Sequence, residues 1–167
     1  GYGADAASKS ELEIRRFTLE NASRAGDGKV TALLEKYAKS EKTPKVKAMI
    51  EQQIKRSKVY DKCKADLTCY RGLLASDEPL IREKAAYELA FAKDAESVDA
   101  LVKTIDSKFD DTNESRFAKF WALWQIGPKS STKYLKRLNK MAQADKKNQD
   151  YVRIAAEVER LVDRIKR

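Results

Sequence analysis

The amino-acid sequence predicts an all-α fold, an α-solenoid of about four antiparallel helical hairpins plus an N-terminal helix. The first observation is a recurring pattern: an acidic turn residue, an apolar residue followed by a cation, then small residues and a closing Leu. The cations of this pattern, Lys47, Arg82, Arg116 and Arg153, are 35, 34 and 37 residues apart, and such a period is typical of helical repeats. The second observation is that the six Gly and three Pro of the 167 residues fall between runs of helical periodicity.

The N-terminal segment is predicted to contain a short lead and one helix. Residues 1–7 are interpreted as a disordered lead. In residues 8–25, apolar side chains recur at spacings of three and four, which is typical of an amphipathic helix. These side chains are Leu12, Ile14, Phe17, Leu19 and Ala22. Because Ile14-Arg15 repeats the step from an apolar residue to a cation, we interpret this helix as a degenerate repeat that caps the stack.

Four hairpins are expected to follow, at approximately 28–58, 60–92, 94–127 and 130–166. The first helix of the first hairpin is predicted to be buried through Val30, Leu33, Leu34 and Tyr37. Pro44 suits the first turn of the next helix, where its missing N–H is not needed, and that helix is expected to continue to about Lys58. Residues 63–66 are then predicted to form a loop, with Asp66 as the N-cap of a short helix.

The later helices are also predicted from the repeat pattern, from capping residues and from a Gly-Pro stop. Residues 77–92 contain the repeat pattern in its clearest form, and Asp94 is predicted to cap the helix that follows. The helix at 114–126 is the most aromatic, and Gly127-Pro128 is expected to end it. The last hairpin is predicted to consist of helices at 130–144 and at 149–164.

The pattern of residues 77–89 resembles the HEAT-like repeats of the short bacterial kind, which also occur in phycobilin lyase-like proteins. In that family the second helix of each hairpin begins with Asp, followed by Val-Arg, a small pair and a Leu. Asp77, Ile81-Arg82, Ala85-Ala86 and Leu89 match this pattern, whereas Asp111, Arg116, Ala118, Ala122 and Leu123 match it in part, and Val152-Arg153 and Ala155-Ala156 match it without the Asp. The resemblance implies a single repeat domain within residues 8–167. Tetratricopeptide repeats share the period, but their spacing of Trp, Leu-Gly and Tyr is not found here.

The repeated arginines Arg82, Arg116 and Arg153 allow two interpretations. Evenly spaced guanidinium groups suit a polyanion such as a phosphate backbone. In similar repeats, however, this Arg pairs with the turn Asp between neighbouring units, and Asp77 and Asp111 stand in the matching positions. We therefore expect these five residues to stabilise the repeat structure.

Positive charge is concentrated in the C-terminal third of the chain. Residues 113–167 contain 14 Lys and Arg against 6 Asp and Glu, within a net charge of +9. Such asymmetry suggests an acidic partner, although a solvated Lys-rich helix is the simpler interpretation. Two large aromatic residues close together in one helix are difficult to bury together, so Trp121 is expected in the core and Trp124 at the surface. The candidate binding surface is Lys133, Lys136, Arg137, Lys140, Lys146, Lys147 and Trp124.

The two cysteines, Cys63 and Cys69, are predicted to form a local disulfide. The chain has no His, so these residues cannot assemble a tetrahedral zinc site of Cys and His ligands. In one continuous helix the two side chains would point apart, but a loop ending at Asp66 allows Cys63 to fold back towards Cys69. Two buried free thiols are the alternative. A disulfide indicates an oxidising compartment such as the periplasm or cell envelope, with the cytoplasm as the alternative location.

The functional hypothesis is a scaffold without catalytic activity and without a cofactor or metal. In the absence of His, acid–base chemistry would need Asp, Glu, Lys, Tyr or Cys, and none of these stands in a recognisable motif. No apolar run approaches the ~20 residues that span a bilayer. We expect the curved surface to bind a macromolecule, most simply a protein. The alternative is a basic nucleic-acid-binding protein, for which alkylpurine DNA glycosylases are the analogy, and a phycobilin lyase role rests on repeat resemblance alone.

Overall fold

The computed structural model describes residues 14–19, 22, 28–105 and 112–167, and this part of the chain consists of helices and turns without a strand. The predicted all-α class is therefore confirmed. The chain divides into two compact units, residues 1–64 and residues 65–167. The lead predicted for residues 1–7 and the repeat residue Asp111 lie outside the described residues.

The first unit contains helical residues 14–19, helix α1 (Gly28–Ser40) and helix α2 (Pro44–Cys63). Helices α1 and α2 pack against each other. Pro44 occupies the first turn of α2, as predicted. Helix α2 is one turn longer than predicted, because Val59 and Cys63 extend its buried face beyond Lys58. The core of this unit consists of Leu19, Leu34, Ala38, Val46 and Ile50.

The apolar stripes predicted for the first two helices were too wide. Leu34 is buried, with 5% of its surface exposed, whereas Leu33 is 66% exposed. Tyr37, Ile14 and Phe17 are also exposed. Neighbouring positions on a helix are about 100° apart, and the buried face of α1 includes Leu34 but excludes Leu33.

The second unit contains helices α3 (Leu67–Leu73), α4 (Pro79–Phe91), α5 (Val98–Thr104), α6 (Asn113–Ile126), α7 (Pro128–Ser131), α8 (Leu135–Asp145) and α9 (Val152–Ile165). Short 3₁₀ helices at Ala95–Ser97 and Thr132–Tyr134 precede α5 and α8. Helix α3 packs on α4, α5 on α6 and α8 on α9, while α4 and α9 both pack on α6. Helix α6 is therefore central, and Glu114 is its one exposed residue.

Several helix ends in the second unit follow the sequence signals. The Asp66 carboxylate accepts a hydrogen bond from the Thr68 N–H at 2.9 Å, which confirms the predicted N-cap. The Thr112 hydroxyl accepts from the Ser115 N–H at 3.2 Å and caps α6 in the same way. Gly127 has a φ of 119°, a conformation that residues with a Cβ avoid. Helix α6 ends immediately before this glycine, as the sequence predicted.

Asp94 occupies the predicted N-cap position, before the 3₁₀ helix Ala95–Ser97, but its side chain makes no cap hydrogen bond. Its two carboxylate oxygens instead accept hydrogen bonds from Nε and Nη2 of Arg71, both at 2.7 Å. Arg71 also lies 2.8 Å from Glu96 Oε2. A bidentate pair between a guanidinium and a carboxylate is stronger than a single bond from a neutral backbone N–H, which explains why the carboxylate turns towards Arg71.

Replacing Leu34 with Ala should lower the free energy of unfolding by about 3 kcal/mol, because the substitution leaves a cavity in the core of the first unit. The neighbouring Leu33→Ala is the matched control. Because Leu33 is largely exposed, we expect its replacement to change this free energy by less than about 0.5 kcal/mol. Urea unfolding followed by circular dichroism measures both values. Equal losses would contradict the assignment of Leu34 to the core.

Candidate functional site

Cys63 and Cys69 are disulfide-bonded, and they bond to each other because the chain has no other cysteine. Cys63 is the last residue of α2, and Cys69 lies in α3. The expected local disulfide is therefore confirmed, although Cys63 belongs to a helix and not to the predicted loop. The turn between the two helices begins at Lys64, which has a φ of 51°.

The repeated arginines Arg82 and Arg153 make different contacts. Arg82 is buried, and its Nη1 donates to the carbonyl oxygens of Ser76 at 2.6 Å and Asp77 at 3.1 Å. Arg82 thus holds the turn before α4 through the backbone of Asp77. Arg153 is exposed, and its Nη2 lies 2.9 Å from Glu114 Oε1. Because one guanidinium is buried and the other is at the surface, these two residues do not form a regular phosphate-binding ladder.

Arg116 forms a buried ion pair with Asp145. Its Nε and Nη2 donate to the two carboxylate oxygens of Asp145 at 2.8 and 2.7 Å, and its Nη1 donates to the carbonyl of Ile105. The guanidinium carbon also lies 4.5 Å from the ring centroid of Tyr151. Arg116 and Asp145 are each only 2% exposed. The sequence did not reveal this partner, although Asp145 is the single acid in the basic stretch from residue 129 to 147.

One continuous helix was predicted for residues 130–144, but the basic residues of the candidate surface do not lie on a single helix. The segment divides into α7, a 3₁₀ turn that holds Lys133, and α8. The Lys133 ammonium lies 3.0 Å from Asp99 Oδ1, and the Tyr134 hydroxyl donates to the same oxygen at 2.7 Å. The hydrogen bonds from Tyr134 and Lys133 lower the pKa of Asp99 below its ordinary value. Lys133 therefore forms an ion pair with an acidic neighbour.

Lys146 also forms an ion pair with a carboxylate. Its ammonium lies 2.6 Å from Glu159 Oε1, which also accepts from Gln143 at 3.0 Å. The hydrogen bond from Lys146 and, to a smaller extent, the one from Gln143 lower the pKa of Glu159. The remaining members of the predicted basic surface are exposed, and we call them the exposed basic set. They are Lys136, Arg137, Lys140 and Lys147.

Trp121 and Trp124 are both half-buried, so the expected contrast between a core and a surface tryptophan is not seen. The Trp121 ring meets the rings of Tyr87 and Phe91 edge to face, with centroid distances of 5.3 and 5.7 Å. The Trp124 ring lies under the guanidinium of Arg164, whose carbon is 4.9 Å from the ring centroid. Each tryptophan therefore contacts a different neighbouring helix.

These contacts define a surface of which the sequence predicted only Trp124. Phe117, Trp121 and Trp124 share one face of α6, because their spacing is four and then three residues. Tyr87 and Phe91 are four residues apart on α4, and Phe91 is 58% exposed. The signal in the sequence was this pair of aromatic residues in a repeat helix otherwise rich in alanine. We call the six residues the aromatic–arginine face: Tyr87, Phe91, Phe117, Trp121, Trp124 and Arg164.

Comparison of the chain with protein-family models, with curated proteins and with solved structures returned no match. The HEAT-like resemblance therefore stays a prediction made from residues alone. Within the described residues, no three His, Cys, Asp or Glu side chains form a group that could hold a metal ion. In the same part of the chain, no helix is long and apolar enough to cross a bilayer.

Replacing both Cys63 and Cys69 with Ser should lower the free energy of unfolding by about 2 kcal/mol, because the short ring that the disulfide closes restricts the unfolded chain. Urea unfolding of the two proteins, with and without dithiothreitol, measures the difference. The reductant should bring the wild-type protein to the stability of the double variant and leave the variant unchanged. Equal stability of the oxidised wild-type protein and the variant would contradict this prediction.

Replacing Asp145 with Ala should destabilise the protein by about 3–5 kcal/mol, because the buried Arg116 guanidinium loses its counter-ion. Glu114→Ala is the matched control, since it removes the carboxylate partner of the exposed Arg153. We expect this control to cost less than about 1 kcal/mol. Urea unfolding measures both free energies, and a small loss for Asp145→Ala would show that Arg116 can reach water in the variant.

Proposed function

We propose that the protein is a non-enzymatic helical-repeat scaffold that binds a protein partner through the aromatic–arginine face. The observation that supports this function is two groups of contacts on that face, the rings around Trp121 and the Arg164 guanidinium over Trp124. The side chains of both groups stay partly exposed. Trp, Tyr and Arg are the residue types enriched at the energetically dominant positions of protein interfaces. Scattered apolar residues are normal at a protein surface, whereas a contiguous group of them marks an interaction site.

The packing of helices in the second unit supports the repeat part of the proposal. Its helices pair as α3 with α4, α5 with α6 and α8 with α9, and the second members of these pairs lie side by side with α6 in the middle. A row of second helices, each contacting only its neighbours, is the arrangement of an α-solenoid. The four-hairpin solenoid and the HEAT-like resemblance belong to this proposal.

The aromatic–arginine face is suited to a partner with apolar anchors and acidic residues. The rings of Tyr87, Phe91 and Trp121 already pack against one another, so they lose little conformational freedom when a partner covers them. Arg164, which belongs to this face, is exposed and supplies a cation for an acidic residue of the partner. With a net charge of +9 on the chain, association with an acidic protein would also be accelerated by long-range attraction.

The exposed basic set favours a second candidate function, the binding of nucleic acid. Exposed Lys and Arg support salt-dependent contacts to phosphates, and half-exposed aromatic rings can stack on bases. We prefer a protein partner because Lys133 and Lys146 already pair with carboxylates, which lowers the charge available to a phosphate backbone. The disulfide is consistent with an extracytoplasmic compartment, and we include that location in the proposal, with the cytoplasm as the alternative.

Selection of random peptides displayed on phage against the full chain tests the proposed function. We expect the enriched peptides to combine apolar anchors with acidic residues. Phe91→Ala should weaken their binding by at least about tenfold, as at interface hot spots. Val152→Ala is the control, because Val152 is also an exposed apolar residue but lies outside the face. We expect the control to bind within about twofold of the wild-type protein.

A nucleic-acid arm of the same experiment separates the two candidate functions. Fluorescence anisotropy with labelled single- and double-stranded DNA and RNA measures binding from low to physiological salt. Binding that falls steeply with salt, and that is lost when Lys136, Lys140 and Lys147 are replaced by Gln, would overturn the protein-binding proposal if no peptide is enriched.

A further inference from the structure

A cavity of about 340 Å³ lies beside α8, the turn after it and the beginning of α6. One wall is a single face of α8, because Arg137, Lys140, Met141 and Ala144 are spaced by three, one and three residues. The volume is at the lower end of the range for small-molecule sites. The cavity is therefore large enough for a small ligand with a ring or a short chain.

Arg116 and Asp145, which form the buried ion pair, both line this cavity. Both carboxylate oxygens of Asp145 accept hydrogen bonds from Arg116, so the single acid of the lining is already neutralised. The other charged residues of the lining are Arg137 and Lys140, which are exposed. The lining therefore contains three cationic side chains and one carboxylate.

Asn148 adds a neutral donor to the same cavity. Its Oδ1 accepts from the Asp150 N–H at 2.9 Å, which orients the amide and leaves the Nδ2 group as a donor. Its backbone carbonyl accepts from the N–H groups of Tyr151 and Val152 at 3.1 and 2.9 Å, so the turn that carries Asn148 is held in place. The guanidinium, the ammonium and the amide are all donors, and the ligand must therefore supply acceptors.

Met141, Ala144 and the ring of Tyr151 form the apolar part of the lining. We propose that this cavity binds an oxyanion, a phosphate or a carboxylate, attached to a small apolar or aromatic group. The guanidinium of Arg137 has five N–H donors, so it can donate to an oxygen of such a group beside its existing contacts, while Lys140 adds a point charge and Asn148 a further hydrogen bond. None of these residues belongs to the aromatic–arginine face, so this proposal does not depend on the proposed function.

Titration of the full chain with phenylphosphate and with benzoate, followed by calorimetry and by ¹H–¹⁵N NMR, tests the proposal. At least one of the two ligands should bind and shift the side-chain amide signals of Asn148, and the tighter ligand identifies the preferred head group. The neutral benzyl alcohol should not bind. Inorganic phosphate should bind more weakly than phenylphosphate, because it leaves the apolar lining uncovered, and equal affinity would overturn the apolar part of the proposal.

Variants of the cavity rim provide the second part of the test. Arg137→Gln and Lys140→Gln should each weaken binding by about tenfold, through loss of a charge-assisted hydrogen bond. Lys136→Gln is the matched control, because it removes the same charge from an exposed residue of α8 that does not line the cavity. We expect it to bind within about twofold of the wild-type protein. Thermal melts confirm that each variant is folded.

Two results would overturn the proposal. One is the absence of binding for both phenylphosphate and benzoate at millimolar concentration. The other is an equal loss of affinity in Lys136→Gln and Lys140→Gln, which would show that the anion follows the general charge of α8 and does not enter the cavity.

Discussion

The buried pair of Arg116 and Asp145 is the interaction on which the unit of residues 65–167 depends. Arg116 lies on the central helix α6, and its guanidinium reaches the carbonyl at the end of α5, the carboxylate at the end of α8 and the Tyr151 ring just before α9. Burying two charges is costly, and this cost is offset only when the donors and acceptors meet in one geometry. The pair therefore ties the ends of α5 and α8 and the beginning of α9 to α6, and it helps to position the α8 face that lines the cavity.

The repeat pattern predicted the helices and their small residues well, because both depend on local sequence. Ala85, Ala86 and Leu89 are fully buried at the positions that the pattern marks. The partner of Arg116 could not be predicted in this way, because Asp145 is 29 residues away in the chain. The packing of α8 on α9 and of α9 on α6 brings the two residues together. The pairing of Arg71 with Asp94 could not be predicted from local sequence either, because the two residues are 23 positions apart. This pairing turns the Asp94 carboxylate away from its expected capping role.

The candidate surfaces differ in how far the sequence could reveal them. Composition identified the excess of Lys and Arg in the last third of the chain, but a linear sequence does not say which cations meet a carboxylate across helices. Lys133 and Lys146 do so, while Lys136 and Lys140 remain at the surface. Helical spacing likewise places Phe117 and Trp121 on one face of α6. Whether a neighbouring helix covers that face depends on the side chains of α4 and α9, which are set by tertiary packing.

The disulfide encloses an exposed turn that contains one lysine. Lys64 and Ala65 are exposed between Cys63 and Cys69, and exposed turns with small or polar residues are the preferred sites of proteolytic cleavage. A protease with trypsin-like preference that cuts after Lys64 would break the backbone inside the ring, yet the two fragments would remain joined through their sulfur atoms. The cleaved protein would then keep the mass of a single molecule although its backbone is broken. Electrophoresis would separate the two fragments only after reduction of the disulfide.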